Sequence, residues 1–315
     1  MPIARRDFVA GLAAVTAAGA LPIRMLAASS PFRVSVINDE ISQDFEHACD
    51  IASREFGLHW IELRSMWKKN IVNLDEKEIA EAKEVVEKHG LKVTDIASPL
   101  FKTDWPDAPP SKVREKGGFG ADFTFEQQDE VLERAINLAK TFKTDRVRCF
   151  DFWRLDDQAP HRKAINERLL KAANKAGAKG ITLILENESS CNTATGAEAA
   201  KMLEGVKSEH FMLNWDPGNA AAAGENPYPA PYDALPKNRI GHCHCKDVVK
   251  IGKGDWAPMG GGVIDWLGQF KALKRDGFHF AVSLETHWRG AGSEEESTRQ
   301  SWAGMKKLLQ EADAL

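Results

Sequence analysis

Residues 239–247 read RIGHCHCKD, with two histidines and two cysteines in four consecutive positions. If Arg239–Cys245 is a β-strand, its faces alternate, so His242, His244 and Lys246 lie on one side and Cys243 and Cys245 on the other. That separates the two ligand types and argues against one Cys₂His₂ zinc site. The C-x₂-C spacing of structural zinc modules occurs nowhere else in the chain. A strand whose second face carries thiols suits a parallel sheet, because there the outward face lies under helices and is also buried.

The same beat extends in both directions. Short β-rich runs are predicted at 32–38 (FRVSVIN), 60–64 (WIELR), 92–98 (KVTDIAS) and 145–150 (DRVRCF). Four more follow at 181–187 (ITLILEN), 211–216 (FMLNWD), 239–245 and 280–286 (FAVSLET). Amphipathic helical patterns separate them, at 45–57, 75–90, 125–142 and 161–177, several closed by glycine. Ser293 with Glu296 three residues on predicts a capping box opening a last helix that runs through Leu309. Eight strands alternating with helices predict an α/β chain folded as a (β/α)₈ TIM barrel. A doubly wound open sheet is the competing fold, but no G-x-G-x-x-G follows the first strand.

Composition sets limits on function. The chain has 315 residues, 43% hydrophobic and 28% charged, enough for one large core. A formal net charge of −4 gives no electrostatic footprint for nucleic acid. Five cysteines, an odd number, do not make a disulfide framework and are expected as buried thiols. Residues 1–30 contain Arg5-Arg6, an apolar Ala/Gly-rich run from Phe8 to Leu21 and small residues at Ala27–Ser30. They are expected to be an export signal of twin-arginine type, cleaved to leave a single barrel of residues 31–315, periplasmic or secreted. The apolar run is too short to predict a stable membrane span. Assembly into a homo-oligomer is left open.

Chemistry in such a barrel sits where the strands end. The fifth strand ends Leu185-Glu186-Asn187-Glu188, the sixth Asn214-Trp215-Asp216-Pro217-Gly218-Asn219, the seventh His242-Cys243-His244 and the eighth Ser283-Leu284-Glu285-Thr286-His287. Four successive strands thus bring a carboxylate or imidazole to one rim, a donor set suited to Mn²⁺, Mg²⁺, Co²⁺ or Zn²⁺.

At these residues the chain resembles the xylose isomerase-like sugar isomerases and epimerases. LEN (185–187), WDPGN (215–219), HCKD (244–247) and SLET (283–286) carry the resemblance, which runs from about Phe32 to the C-terminus. It implies Glu186, Asp216, His244 and Glu285 as ligands of one divalent cation, Mn²⁺ first among the choices, with both glutamates doubling as acid and base. His242 shares the face of His244 one layer deeper and is expected to fill the barrel or support a ligand. A cation beside a sugar carbonyl and hydroxyl stabilises an enediolate, and two opposed carboxylates can then move the α-proton.

Departures from related patterns narrow the reading. Nucleases of similar barrel use three zinc ions, with a histidine where Asn219 stands and an Asp-x-His where this chain has Asp255-Trp256-Ala257. A trinuclear site is therefore not expected. Ketose epimerases often place a substrate-contacting histidine at the position of Asn219, which makes Asn219 a candidate sugar contact. In GGGVID (260–265), Gly261 stands where the family loop commonly has glutamate.

Lys246, Glu62, Trp67 and His287 are further candidate substrate contacts, with Trp105, Trp153 and Trp256 as indoles that could floor a pocket and Glu188 as an alternative ligand. Glu62 and Arg64 share a face and read either as an internal ion pair or as sugar-binding groups. The function expected is a metal-dependent sugar isomerase or epimerase. The alternatives are a lyase or hydrolase acting on an oxidised (keto) glycoside, and a non-catalytic sugar-binding barrel.

Overall fold

Each β-rich run of the sequence forms a strand: β1 (Arg33–Val36), β2 (Trp60–Leu63), β3 (Lys92–Leu100), β4 (Arg146–Cys149), β5 (Thr182–Glu186), β6 (Phe211–Trp215), β7 (Ile240–Cys245) and β8 (Ala281–Leu284). The structure, a computed structural model, describes residues 30–114 and 116–315; residues 1–29 of the expected export segment lie outside them. All neighbouring strands pair in parallel, in the order β1-β8-β7-β6-β5-β4-β3-β2. A parallel bridge between Ile37 and Glu62 joins β1 to β2 and closes the cylinder. The fold is the expected TIM barrel.

Helices cover the outside. The principal ones are α1 (Phe45–Asp50), α2 (Glu76–Lys88), α3 (Gln128–Thr141), α4 (Arg162–Gly177), α5 (Gly196–Gly205), α6 (Pro217–Ala222), α7 (Ala230–Ala234), α8 (Trp266–Arg275) and α9 (Glu294–Glu311). The first differs from its expected span: after Asp50 the chain continues as a wider π-type turn over Ile51–Glu55. At α9 half of the capping box forms. The Ser293 side chain accepts from the Glu296 N–H, while the Glu296 carboxylate accepts from Gln300 instead of reaching back.

Two layers of burial follow from strand alternation. Outward side chains such as Leu183, Leu185, Leu213, Cys243 and Cys245 pack into the apolar core under the helices. All five cysteines are free and buried, and burial pushes the thiols of Cys149 and Cys245 well above their ordinary range. Inward positions are polar toward the C-terminal rim. Register sets Glu186 beside Asn214, Asn214 beside His242, and His244 beside Ser283, so carboxylates, amides and imidazoles face one another across the cylinder. Among the described residues, no helix is long and apolar enough to cross a membrane.

Candidate metal centre

Four strand ends deliver the expected donors to one point. Glu186 is the last residue of β5; Asp216 follows β6 as the cap of α6; His244 lies in β7; Glu285 follows β8. One donor atom from each lies within 4.8 Å of the others, and all four residues are buried. From His244 Nδ1 the distances are 3.3 Å to Glu285 Oε2, 3.4 Å to Glu186 Oε1 and 3.7 Å to Asp216 Oδ2. The other ring nitrogen, Nε2, lies 3.0 Å from Glu62 Oε1. A carboxylate at the outer ring nitrogen is the arrangement that orients a metal-binding imidazole, and it leaves Nδ1 directed at the cluster.

The donor set fits a cation on a further observation. His244 Nδ1 is fully buried with no hydrogen-bond partner, and the Asp216 Oδ2 beside it faces a cation, the Lys246 ammonium at 2.7 Å. The WDPGN stretch explains how Asp216 presents that oxygen. Its Oδ1 accepts from the Asn219 N–H at 2.8 Å as an N-cap with Pro217 in the first turn, which leaves Oδ2 for the cluster. Asn187 fixes the backbone there: its oxygen accepts from the Asp216 N–H at 2.8 Å and its amide donates to Asp216 O at 2.8 Å.

The residue-by-residue placement differs from simple strand parity in several ways. Lys246 is buried, its Nζ 2.7 Å from Asp216 Oδ2 and 2.5 Å from Glu285 Oε2, so its ammonium neutralises two of the clustered carboxylates instead of projecting past the rim. Gly218 makes this possible, because a Cβ there would lie 2.4 Å from Lys246 Cγ. Asn219 donates to Glu186 Oε1 at 3.1 Å and to Asn187 O at 2.9 Å; it holds Glu186 and does not line the cavity. Glu62 lies below the cluster, joined to His244 and, at 3.5 Å, to His242, and does not pair with Arg64. Arg64, beyond the end of β2, turns instead to Asp39, Glu40 and Glu285.

His242 stays out of the four-donor cluster. Its Nε2 is 3.1 Å from Asp95 Oδ1, and Asn214 bridges the two imidazoles at 3.0 Å from His242 Nδ1 and 3.1 Å from His244 Nε2. Trp67 packs edge-on against Phe45, with ring centroids 6.0 Å apart, and is not among the residues lining the cavity. His287 does line it, with Nε2 3.2 Å from Glu285 Oε1.

Above the cluster lies a cavity of about 330 Å³, with Glu186, Glu188, Glu285, Arg148, Lys102 and Trp153 among its walls. Burial works against ionisation of Glu186, but His244 and Arg148 outweigh it and hold the carboxyl below its usual range. Glu285 follows the same pattern, with Lys246, His287 and His244 overcoming burial. For His244, burial favours the neutral ring, but Glu62, Glu186 and Glu285 outweigh that and raise its pKa well above the ordinary value.

A family described as the xylose isomerase-like TIM barrel matches residues 51–308. The chain belongs to this family. No curated protein sequence matches it significantly. Solved structures resemble this xylose isomerase-like barrel in fold. The IOLI protein, solved with a binding zinc atom, is 16% identical with a TM-score of 0.70, over 89% of this chain and 99% of that one. The probable 3-DHS dehydratase AsbF of Bacillus anthracis is 19% identical with a TM-score of 0.66, over 88% and 98%. D-allulose 3-epimerase from Methylomonas sp. is 17% identical with a TM-score of 0.66, over 90% and 98%.

Sequence reasoning missed several roles that residues of this xylose isomerase-like barrel play around the cluster. Arg148 donates to Glu186 Oε2 at 3.1 Å and Arg64 to Glu285 Oε1 at 2.8 Å, so each glutamate has its own guanidinium. The signal for Arg148 was present: Arg146 and Arg148 share one parity in DRVRCF, alternating with the apolar Val147 and Cys149. Asp247 organises the loop that holds GGGVID, accepting from the N–H groups of Val248, Gly260, Gly262 and Ile264. Gly262 is required there, because a Cβ would lie 2.3 Å from Asp247 Oδ1 and 2.4 Å from Val248 O.

Proposed function

We propose that the protein is a divalent-metal-dependent sugar isomerase or epimerase, with Mn²⁺ the preferred ion, held by Glu186, Asp216, His244 and Glu285. The observation that carries the reading is the pair of glutamates on the cavity wall. Glu186 and Glu285 both approach His244 Nδ1, at 3.4 and 3.3 Å, and each is anchored by a separate arginine. When bound, the cation supplies electrophilic stabilisation of the negative charge on an enediolate. The protein's own residues supply the rest. Arg148 and Asn219 fix Glu186, and Arg64 fixes Glu285, so each carboxylate is held in place by partners of its own. Both are held ionised at neutral pH, which readies either to take up the α-proton. Return of that proton by the same carboxyl to the neighbouring carbon exchanges aldose and ketose; inversion needs the opposite carboxylate to take up a proton from solvent and deliver it to the other face, while the first carboxyl releases its own to solvent.

A second reading, a lyase or hydrolase acting on a keto glycoside, has one specific support. Lys102 Nζ lies 3.3 Å from Glu188 Oε2 on the cavity wall, an extra charged pair that proton exchange at one carbon does not require. Solvent exchange tests the main reading. With Mn²⁺ and a panel of keto-sugars in D₂O, deuterium enters the α-position, and Glu186→Gln and Glu285→Gln each abolish entry. Exchange that persists in either variant would contradict the assignment of that carboxylate.

A further inference from the structure

The cavity over the glutamates is not a closed cell. It adjoins an outer groove of about 700 Å³, roughly twice its own volume of about 330 Å³, and the two spaces share Lys102, Lys116, Asp122 and Trp153 as walls. Contacts tie that boundary down. Trp153 is buried and its backbone N–H donates to Thr103 O at 2.9 Å, while Lys102 Nζ lies 5.4 Å from the centre of the Trp153 ring and 3.3 Å from Glu188 Oε2. Beyond that boundary the chain alternates. Phe123 and Phe125 are half-buried on the groove, and Asp122, Thr124 and Glu126 between and beside them are exposed. Aromatic faces flanked by hydrogen-bonding groups match a ring that has an apolar face and a hydroxyl rim.

A single sugar ring held at the glutamates leaves this larger space without a role. We propose that the outer groove is a subsite for a second sugar ring, so that the substrate is a glycoside of at least two sugar units and not a free monosaccharide. This rests on the reading that the inner cavity takes a sugar. The ring at the cation is the one that reacts. The second ring lies past Trp153 against Phe123 and supplies binding energy remote from the chemistry.

Calorimetry on the full-length, Mn²⁺-loaded protein tests it, using methyl β-D-glucopyranoside, phenyl β-D-glucopyranoside, methyl β-cellobioside and methyl β-maltoside, whose locked anomeric carbons cannot open to a carbonyl, as unreactive probes. At least one disaccharide is expected to bind about 10-fold more tightly than the methyl glucoside. Phe123→Ala removes that gain and leaves the methyl glucoside unchanged. Thr124→Trp, which fills the groove from an exposed position without touching the core, does the same. Thermal melts establish that both variants fold. Equal binding of all probes, binding of none, or a gain that survives both variants overturns the proposal; a gain confined to the phenyl glucoside overturns the sugar and assigns an aromatic second ring. If the disaccharide preference holds while no keto-sugar exchanges deuterium, the groove stands and the enediolate reading fails.

Discussion

Glu62 is the most informative residue to change, because it neither lines the cavity nor belongs to the four-donor cluster, and it reaches that cluster through His244. Its Oε1 is 3.0 Å from His244 Nε2 at a position with no solvent exposure. A hydrogen bond to a charged group contributes about 1.5–3 kcal/mol, against about 1 kcal/mol for a neutral one. Glu62→Leu removes the whole interaction, and metal affinity is expected to fall roughly 10- to 100-fold, the range seen when the partner of a metal-bound imidazole is lost. Glu62→Gln keeps a neutral acceptor, so the expected loss is smaller, about 3- to 30-fold. The assay is Mn²⁺ titration by calorimetry, or competition with a chelating dye, at constant pH. Glu188→Gln is the control, since Glu188 lines the cavity but is not one of the four clustered donors. If Glu62→Leu binds Mn²⁺ as tightly as the unaltered protein, or if Glu188→Gln weakens binding equally, His244 is not oriented through Glu62 and the reasoning fails.

Two further outcomes concern the charges around the cluster. Glu40 is fully buried and accepts from Arg64 and Arg289 at 2.7 and 2.9 Å. Burial pushes its carboxyl up, but Arg64, His287 and Arg289 outweigh that and lower it from 4.5 to about 2. The ionised form therefore stabilises the fold above pH 4.5 by about 3 kcal/mol, and that contribution is lost as pH falls through 2. Denaturant unfolding of Glu40→Gln should show its full deficit at pH 7 and a shrinking one below pH 4.5; a deficit unchanged at pH 2 would refute the assignment. Lys246→Met leaves Asp216 and Glu285 without their ammonium, so the metal-free protein should lose about 3–5 kcal/mol of stability. Saturating Mn²⁺ should recover most of that loss in a thermal melt, and an equal loss with and without Mn²⁺ would show that the ammonium and the ion do not share those carboxylates.

The barrel was legible because the strands fall in short β-rich runs separated by amphipathic helical patterns, and because β7 has two buried faces of different chemistry. The rim positions of Glu186, Asp216, His244 and Glu285 were legible for a related reason: parallel strands all end at one face. What parity could not give was depth and partner choice. It placed Lys246 on the face of His244 but not its turn back over Gly218 to Asp216, which depends on a missing Cβ in another strand's loop. Asn219 read as a sugar contact, yet the first turn of α6 aims its amide at Glu186. Trp67 sits in a tight turn at φ 53°, and that turn carries its indole to Phe45 rather than to the cavity. The pairing of Arg148 with Glu186 depends on the register of β4 against β5, which no single run of sequence contains.

The central claim is that one cation sits among four side chains contributed by consecutive strands. Electron paramagnetic resonance of the purified protein titrated with Mn²⁺ addresses it most directly, with the bound ion counted and its nitrogen coupling resolved. The account predicts one tightly bound ion per chain, coupled to a single imidazole nitrogen, with binding lost in both His244→Gln and Asp216→Asn. No stoichiometric binding, or binding untouched by those two substitutions, would contradict it.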